Sequence, residues 1–249
     1  MSPRPRRALS LASSIALCAL LGTSVPWSEG HADWLPLAIG NQWQYVDDTE
    51  DAHIESITDE GHVRGRRMFV KSYVGGQDDG LVNFWQIGSD GSVLLGGYYR
   101  AAQPFGLLYE PPVRIFPGSP VVGMEWTSHA IAFSVPDNVF YAEFDLYWAV
   151  AEELSLSPPA GTFQCFGVGQ VAPPAITFAP EGQAWGIDGR VLRSAPGVLG
   201  TGPASATEWY ADGVGLVQYN TGVPYLLQSY DLTVPAVTSS WGRIKGLYR

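Results

Sequence analysis

The sequence predicts an all-β fold: a curved antiparallel sheet or half-barrel, with a closed β-barrel or a β-sandwich as the alternative. Three observations predict it. The apolar runs are short and rich in Val, Tyr, Phe and Trp, residue types that fit a pleated surface. Gly and Pro, 29 and 19 of them in 249 residues, are spread along the chain as turn punctuation. Several segments alternate apolar and polar residues with a period of two.

The first 32 residues are set apart from this pattern. Arg4, Arg6 and Arg7 precede an apolar run over residues 8–21, too short to span a bilayer and suited to the core of a secretory leader. Gly30-His31-Ala32 places small residues where a signal peptidase reads them, so cleavage is expected after Ala32, with Ser24 as an earlier alternative. Leu17 precedes Cys18, which argues against a lipid anchor. The expected organisation is a leader over 1–32, one β domain over 33–233, and a linker with a basic-aromatic tail over 234–249. Residues 33–249 carry eleven Lys or Arg against twenty-three Asp or Glu, a net charge of −12. That balance excludes nucleic acid and anionic lipid surfaces as expected partners. Cys165 is the single cysteine left, so no internal disulfide forms, and no later apolar stretch approaches a membrane span. The expected localisation is secreted or periplasmic.

Turn signals then divide the chain. Asp90-Gly91 between residues 81–89 and 92–100 predicts a hairpin. Glu60-Gly61, residues 75–80 and Asp212-Gly213 predict further turns. The clearest strand covers residues 139–154. Phe140, Ala142, Phe144, Leu146, Trp148 and Val150 share one face, and Tyr141, Glu143, Asp145 and Tyr147 share the other. A Gly-x-x-Trp repeat, Gly40 with Trp43 and Gly123 with Trp126, predicts two strands opened by a turn glycine and anchored by a buried Trp. Two proline-rich stretches, residues 101–120 and 173–206, are expected to be long loops. The second is a candidate lid.

Three segments carry a family resemblance. They are Leu35-Pro36-Leu37-Ala38-Ile39-Gly40-Asn41-Gln42-Trp43-Gln44-Tyr45, then Pro159-Ala160-Gly161-Thr162-Phe163-Gln164-Cys165, then Glu208-Trp209-Tyr210-Ala211-Asp212-Gly213-Val214-Gly215-Leu216-Val217. In this order they resemble the TapB-like family of secreted bacterial proteins, related to the lipoprotein-carrier half-barrels of the cell envelope. The resemblance implies a curved antiparallel sheet with a concave face and no catalytic residues. Read physically, Gly40, Trp43, Gly123, Trp126, Gly161, Phe163, Trp209, Gly213 and Gly215 are architectural.

Signatures of chemistry are sparse. No nucleophile elbow, Walker loop, dinucleotide fingerprint or zincin motif is present. His53, His62 and His129 lack the spacing of metal pairs and are expected on surfaces or strands, and Cys165 is expected to be an inert buried thiol. Glu143 and Asp145 project from one strand face, a spacing paired carboxylates of a glycoside hydrolase also show. The acidic runs Asp47, Asp48, Glu50, Asp51 and Asp78, Asp79 lack the alternation of a calcium loop and are expected to be solvated turns.

No enzyme activity, cofactor or metal is therefore expected. The expected function is an envelope or extracellular binding protein whose concave face takes an apolar or amphipathic ligand or a partner segment, with Tyr141, Glu143, Asp145 and Tyr147 as candidate contacts. The alternative is a structural or interaction module of the envelope without a small ligand. A hydrolase using Glu143 and Asp145 is the remote third reading, and it requires both carboxylates inside a cleft.

Overall fold

The computed structural model describes residues 33–49, 51–102, 105–178, 207–220 and 224–233. The expected leader, the expected tail, and the expected 173–206 loop beyond Phe178 up to residue 206 lie outside the described residues. The strands are β1 (Gln42–Val46), β2 (Ala52–Val63), β3 (Arg66–Val74), β4 (Leu81–Ile87), β5 (Val93–Arg100), β6 (Phe105–Phe116), β7 (Glu125–Val135), β8 (Phe140–Leu156), β9 (Phe163–Phe178), β10 (Glu208–Ala211), β11 (Gly215–Asn220) and β12 (Pro224–Asp231). Each pairs antiparallel with its neighbours in sequence, and β12 returns to β1, closing an up-and-down barrel.

Closure is the first difference from the half-barrel expectation, and it realises the alternative. β1 pairs with β2 on one side and with β12 on the other, from Gln42↔Asp231 to Val46↔Leu226. Its inward residues lock the joint. The Trp43 Nε1–H donates to the Val214 carbonyl at 2.7 Å and the Tyr45 hydroxyl to that of Leu216 at 2.8 Å. A half-barrel would leave β1 and β12 as open edges, with their ladder groups unpaired.

The hairpins at Asp90-Gly91 and Asp212-Gly213 form as expected, and residues 75–80 turn through a short 3-10 segment, Gly76–Asp78. The turn at Glu60-Gly61 does not form. β2 runs on to Val63, and the chain reverses at Arg64-Gly65, whose φ angles of 50° and 76° suit a tight hairpin. The Gly-x-x-Trp repeat is structural. Gly40 N–H donates to the Ile57 carbonyl while Ile57 N–H donates to Asn41, and Gly123 N–H donates to Val150 while Val150 N–H donates to Met124. Both glycines have positive φ, 96° and 86°. Trp43 is buried as expected, whereas Trp126 is only partly so.

The expected loop over 101–120 is largely strand β6. Pro111 and Pro112 are accommodated because the ladders skip them. Pairing with β7 ends at Glu110↔Ile131, and pairing with β5 jumps from Leu108 to Val113. Pro173 and Pro174, also expected in a loop, lie within β9, where the β8 register shifts between Ala172 and Ala175. In both places proline sits where no ladder N–H is needed.

β8 alternates as expected from Ala142 to Val150, with Phe144, Leu146 and Trp148 inward. Its start does not. Ala132 pairs with Ala142 but Phe133 pairs with Phe140, leaving Tyr141 as the extra residue of a bulge. Tyr141 is therefore buried among Phe105 and Phe178, and Phe140 is the exposed one at 41 %.

The interior is filled by side chains from all around the wall. Trp43, Tyr45, Phe116, Phe144 and Trp148 are each under 2 % exposed. One mouth is closed by the segment before β1. Trp34 packs on Phe116 and Phe166 and donates its Nε1–H to the Gly118 carbonyl at 3.0 Å.

Outside, the β2–β3 hairpin extends past its neighbours as an arm. Beyond Phe69↔Trp85, β3 leaves β4, and residues 59–68 fold across the outer wall. Met68 packs against Gly96 of β5, Arg66 pairs with Glu110 of β6 at 2.6 Å, and Arg64 stacks on Phe133 of β7 at 3.9 Å and bonds Asn138 beyond it.

Candidate functional site

The barrel interior holds a belt of polar side chains among its aromatics. Period-two alternation on β2 points His53, Glu55 and Ile57 inward, and the β2–β3 and β3–β4 ladders bring Tyr73, Lys71 and Asn83 beside them. Lys71 and Glu55 form an ion pair, Nζ to Oε2 2.7 Å, with side chains only 3 % and 4 % exposed. The Lys71 ammonium also faces the rings of Trp85 and Tyr73 at 5.0 and 5.1 Å. His53 Nε2 lies 2.7 Å from the Tyr219 hydroxyl and 3.5 Å from Glu55 Oε1. The His53 ring stacks on Tyr45 and meets Tyr219 and Tyr225 edge-on. The Asn83 amide donates to the Tyr73 hydroxyl at 2.9 Å, and Arg100 pairs with Asp78 at 3.3 Å.

The electrostatics follow from this enclosure. Burial alone would push the Glu55 carboxyl up, but the Lys71 ammonium and His53 outweigh it and hold Glu55 below its ordinary value. Asp78 is raised by burial and by the Glu55 charge, with Arg100 opposing. Glu208, at the start of β10, accepts a hydrogen bond from the Tyr210 hydroxyl at 2.7 Å. Desolvation of its carboxyl nevertheless pushes it up to about 7. Burial raises Tyr45, Tyr73 and Tyr210 well above the ordinary phenol value, so all three stay neutral, Tyr45 and Tyr210 as donors and Tyr73 accepting from Asn83.

Of this belt only two residues were named from the sequence, His53 as a surface or strand histidine and Asp78 as part of a solvated acidic turn. His53 is instead buried on its strand, and Asp78 is partly buried against Arg100. The signal was present in the alternation His53-Ile54-Glu55-Ser56-Ile57, where two polar residues share a face with an isoleucine. It was also present in Lys71, one of only two lysines after the leader.

The residues that were singled out divide. Glu143 and Asp145 point outward, as their strand period requires, and His129 of β7 sits between them. Its Nδ1 is 2.9 Å from Asp145 Oδ1 and its Nε2 3.5 Å from Glu143 Oε1. The two carboxylates lie on the outer wall, with side chains 53 % and 39 % exposed. Tyr147, on the same face, borders a shallow groove of about 280 Å³ with Glu125, Trp126, Thr127, Trp148 and Val171. Tyr141 is separated from them by the bulge and lies buried. Cys165 is fully buried, and burial pushes its thiol up to about 11. Asp47 forms a closed turn, its Oδ1 accepting from Thr49 and Asp51. Among the described residues, no three His, Cys, Asp or Glu side chains converge as metal ligands.

Comparison with known proteins adds little. No family profile matches the chain, and no curated protein matches it. A candidate exported protein of Bacteroides fragilis with a YmcC-like fold is 12 % identical, covering 81 % of this chain and 100 % of its own, at a TM-score of 0.42. A candidate lipoprotein of Parabacteroides distasonis is 12 % identical, covering 82 % and 100 %, at 0.35. Likeness at this level carries no argument about the present chain, and none of the comparisons supports the TapB-like family that the three sequence motifs suggested.

Proposed function

We propose that the chain is an exported, non-catalytic interaction module of the cell envelope, whose barrel is a rigid support for its outer surface and not a container for a ligand. One observation carries this reading. The space that a carrier barrel would offer to an apolar guest is occupied by Trp43, Tyr45, Phe116, Phe144 and Trp148, and the enclosed Lys71 ammonium is matched within the chain by Glu55. The outer wall supports a water-facing role. His129, Glu143 and Asp145 stand in mid-strand, where a membrane barrel carries an apolar band. Export is supported by the leader pattern over residues 1–32.

The test is a search for bound lipid. Protein exported from a secreting bacterial host is extracted with organic solvent for mass spectrometry, and separate samples are titrated with N-phenylnaphthylamine. The expected result is no stoichiometric lipid and no saturable dye binding. One mole of lipid per mole of protein would return the function to that of a carrier.

A further inference from the structure

Asp33 begins the segment that closes one mouth of the barrel. Its backbone N–H donates to Asp212 Oδ1 at 2.7 Å, and its carbonyl accepts from Gly213 N–H at 2.9 Å. The next residue, Trp34, is buried and anchored on Gly118. The chain is thus pinned from Asp33 onward, while Asp33 and Asp212 themselves are exposed. The two carboxylates come together at this point, and among the described residues no Lys, Arg or His forms an ion pair with either of them. Crowding by the surrounding chain, and then the Asp212 charge, push the Asp33 carboxyl above its ordinary value. A backbone amide brings only a partial positive charge to such a place. An α-ammonium at the same atom would bring a full charge and three donors.

We infer that the Ala32–Asp33 bond is the processing site of this chain, and that the α-ammonium released there is seated on Asp212. The inference rests on the export reading above. The step is a hydrolysis by a leader peptidase and consumes one water. The C–N bond breaks, the water oxygen joins the Ala32 carbonyl carbon to give a carboxylate, and the Asp33 nitrogen takes up protons to become an ammonium. Gly30-His31-Ala32 supplies the small residues before the cut. The nitrogen stays at its place beside Asp212 Oδ1, and an amide hydrogen bond becomes a charge-assisted one.

The test uses the full chain with its own leader in a secreting bacterial host. N-terminal sequencing and intact mass of the exported protein should give a start at Asp33. The α-amine is then titrated by its pH-dependent acylation, in the natural sequence and in Asp212→Asn. An ordinary α-amine titrates near about 7.7–8.0, and the seated one should lie about half a unit or more above that, returning to the ordinary range in Asp212→Asn. A start elsewhere, Val25 included, overturns the inference alone. Protein that stays in the cytoplasm with Met1 intact overturns it together with the export reading, and exported material with Met1 intact overturns the inference alone. Equal titration in both proteins overturns the seat. If Asp212→Asn fails to fold, an α-amine in the natural sequence that titrates within or below the ordinary range overturns it as well.

Discussion

Met68 of β3 occupies the space that a side chain on Gly96 would fill: a Cβ there would overlap the Met68 thioether. The contact joins two strands that do not pair with each other, and it seats the β2–β3 arm on the barrel wall. Met68 is 3 % exposed although most of the arm around it lies open to solvent. Gly96→Ala should therefore displace the thioether and loosen the arm. Because the obstructing atoms end a flexible side chain, the cost should be modest, about 1–2 kcal/mol in urea unfolding. Tryptic cleavage at Arg64, Arg66 and Arg67 should accelerate. The double variant Met68→Ala with Gly96→Ala should cost less than the two single changes added. Unchanged proteolysis in Gly96→Ala would mean that the arm is held without this contact.

Lys71 and Glu55 should behave as a unit. Lys71→Met leaves the Glu55 carboxylate buried without its ammonium, and such a loss costs about 3–5 kcal/mol. Adding Glu55→Gln should recover much of it, because the uncompensated charge is gone. A full double-mutant cycle by urea unfolding measures this. Additive effects would show that the pair is not coupled.

The two faces of β8 can be separated by truncation. Trp148 is 1 % exposed and faces inward, so Trp148→Ala should cost about 3–5 kcal/mol. Tyr147, its neighbour on the outer face, should cost far less on the same change. Equal shifts in urea midpoint would contradict the face assignment that the ladder with β7 implies.

How much of this was legible in the sequence depended on the range of the physics involved. Period-two patterning and turn glycines are local, so the strand class, the Asp90-Gly91 hairpin, the inward face of β8 and the Gly40 and Gly123 strand starts could all be read from neighbouring residues. Closure could not, because the pairing of Gln42 with Asp231 is non-local. The prolines at 111, 112, 173 and 174 misled because their meaning depends on the partner strand: a register shift that removes the need for an N–H turns a loop signal into a strand position. The polar belt was missed for a related reason. His53, Glu55 and Lys71 are ordinary surface residue types until the ladders place them beside one another behind a closed wall. Tyr141 was assigned to the wrong face by a single bulged residue.

Glu208 should make the barrel less stable as the pH rises through neutrality. Desolvation is the main cause of its elevated value of about 7, against an ordinary 4.5, and the Tyr210 hydrogen bond and the Lys71 charge only partly offset it. The sign follows from linkage. A carboxyl raised in the folded state binds its proton more tightly there than in the unfolded chain, so its stabilising effect is complete below pH 4.5 and is lost as the pH climbs through about 7. The largest effect, for a shift of this size, is about 3 kcal/mol. Strain should concentrate at β10, where the ladder to β9 spans only Glu208↔Val168, Trp209↔Gly167 and Tyr210↔Phe166. Glu208→Gln keeps the shape and the acceptor for Tyr210 but cannot ionise. Between pH 5 and 8 the natural protein should lose stability to urea relative to Glu208→Gln, with the two curves converging at the acid end. The depressed Glu55 acts in the opposite sense, its stabilisation being lost as the pH falls through its lowered value, so it is common to both proteins and cancels in the difference. Parallel curves across the whole range would show that Glu208 titrates alike in the folded and unfolded chain, and the desolvation argument would fail.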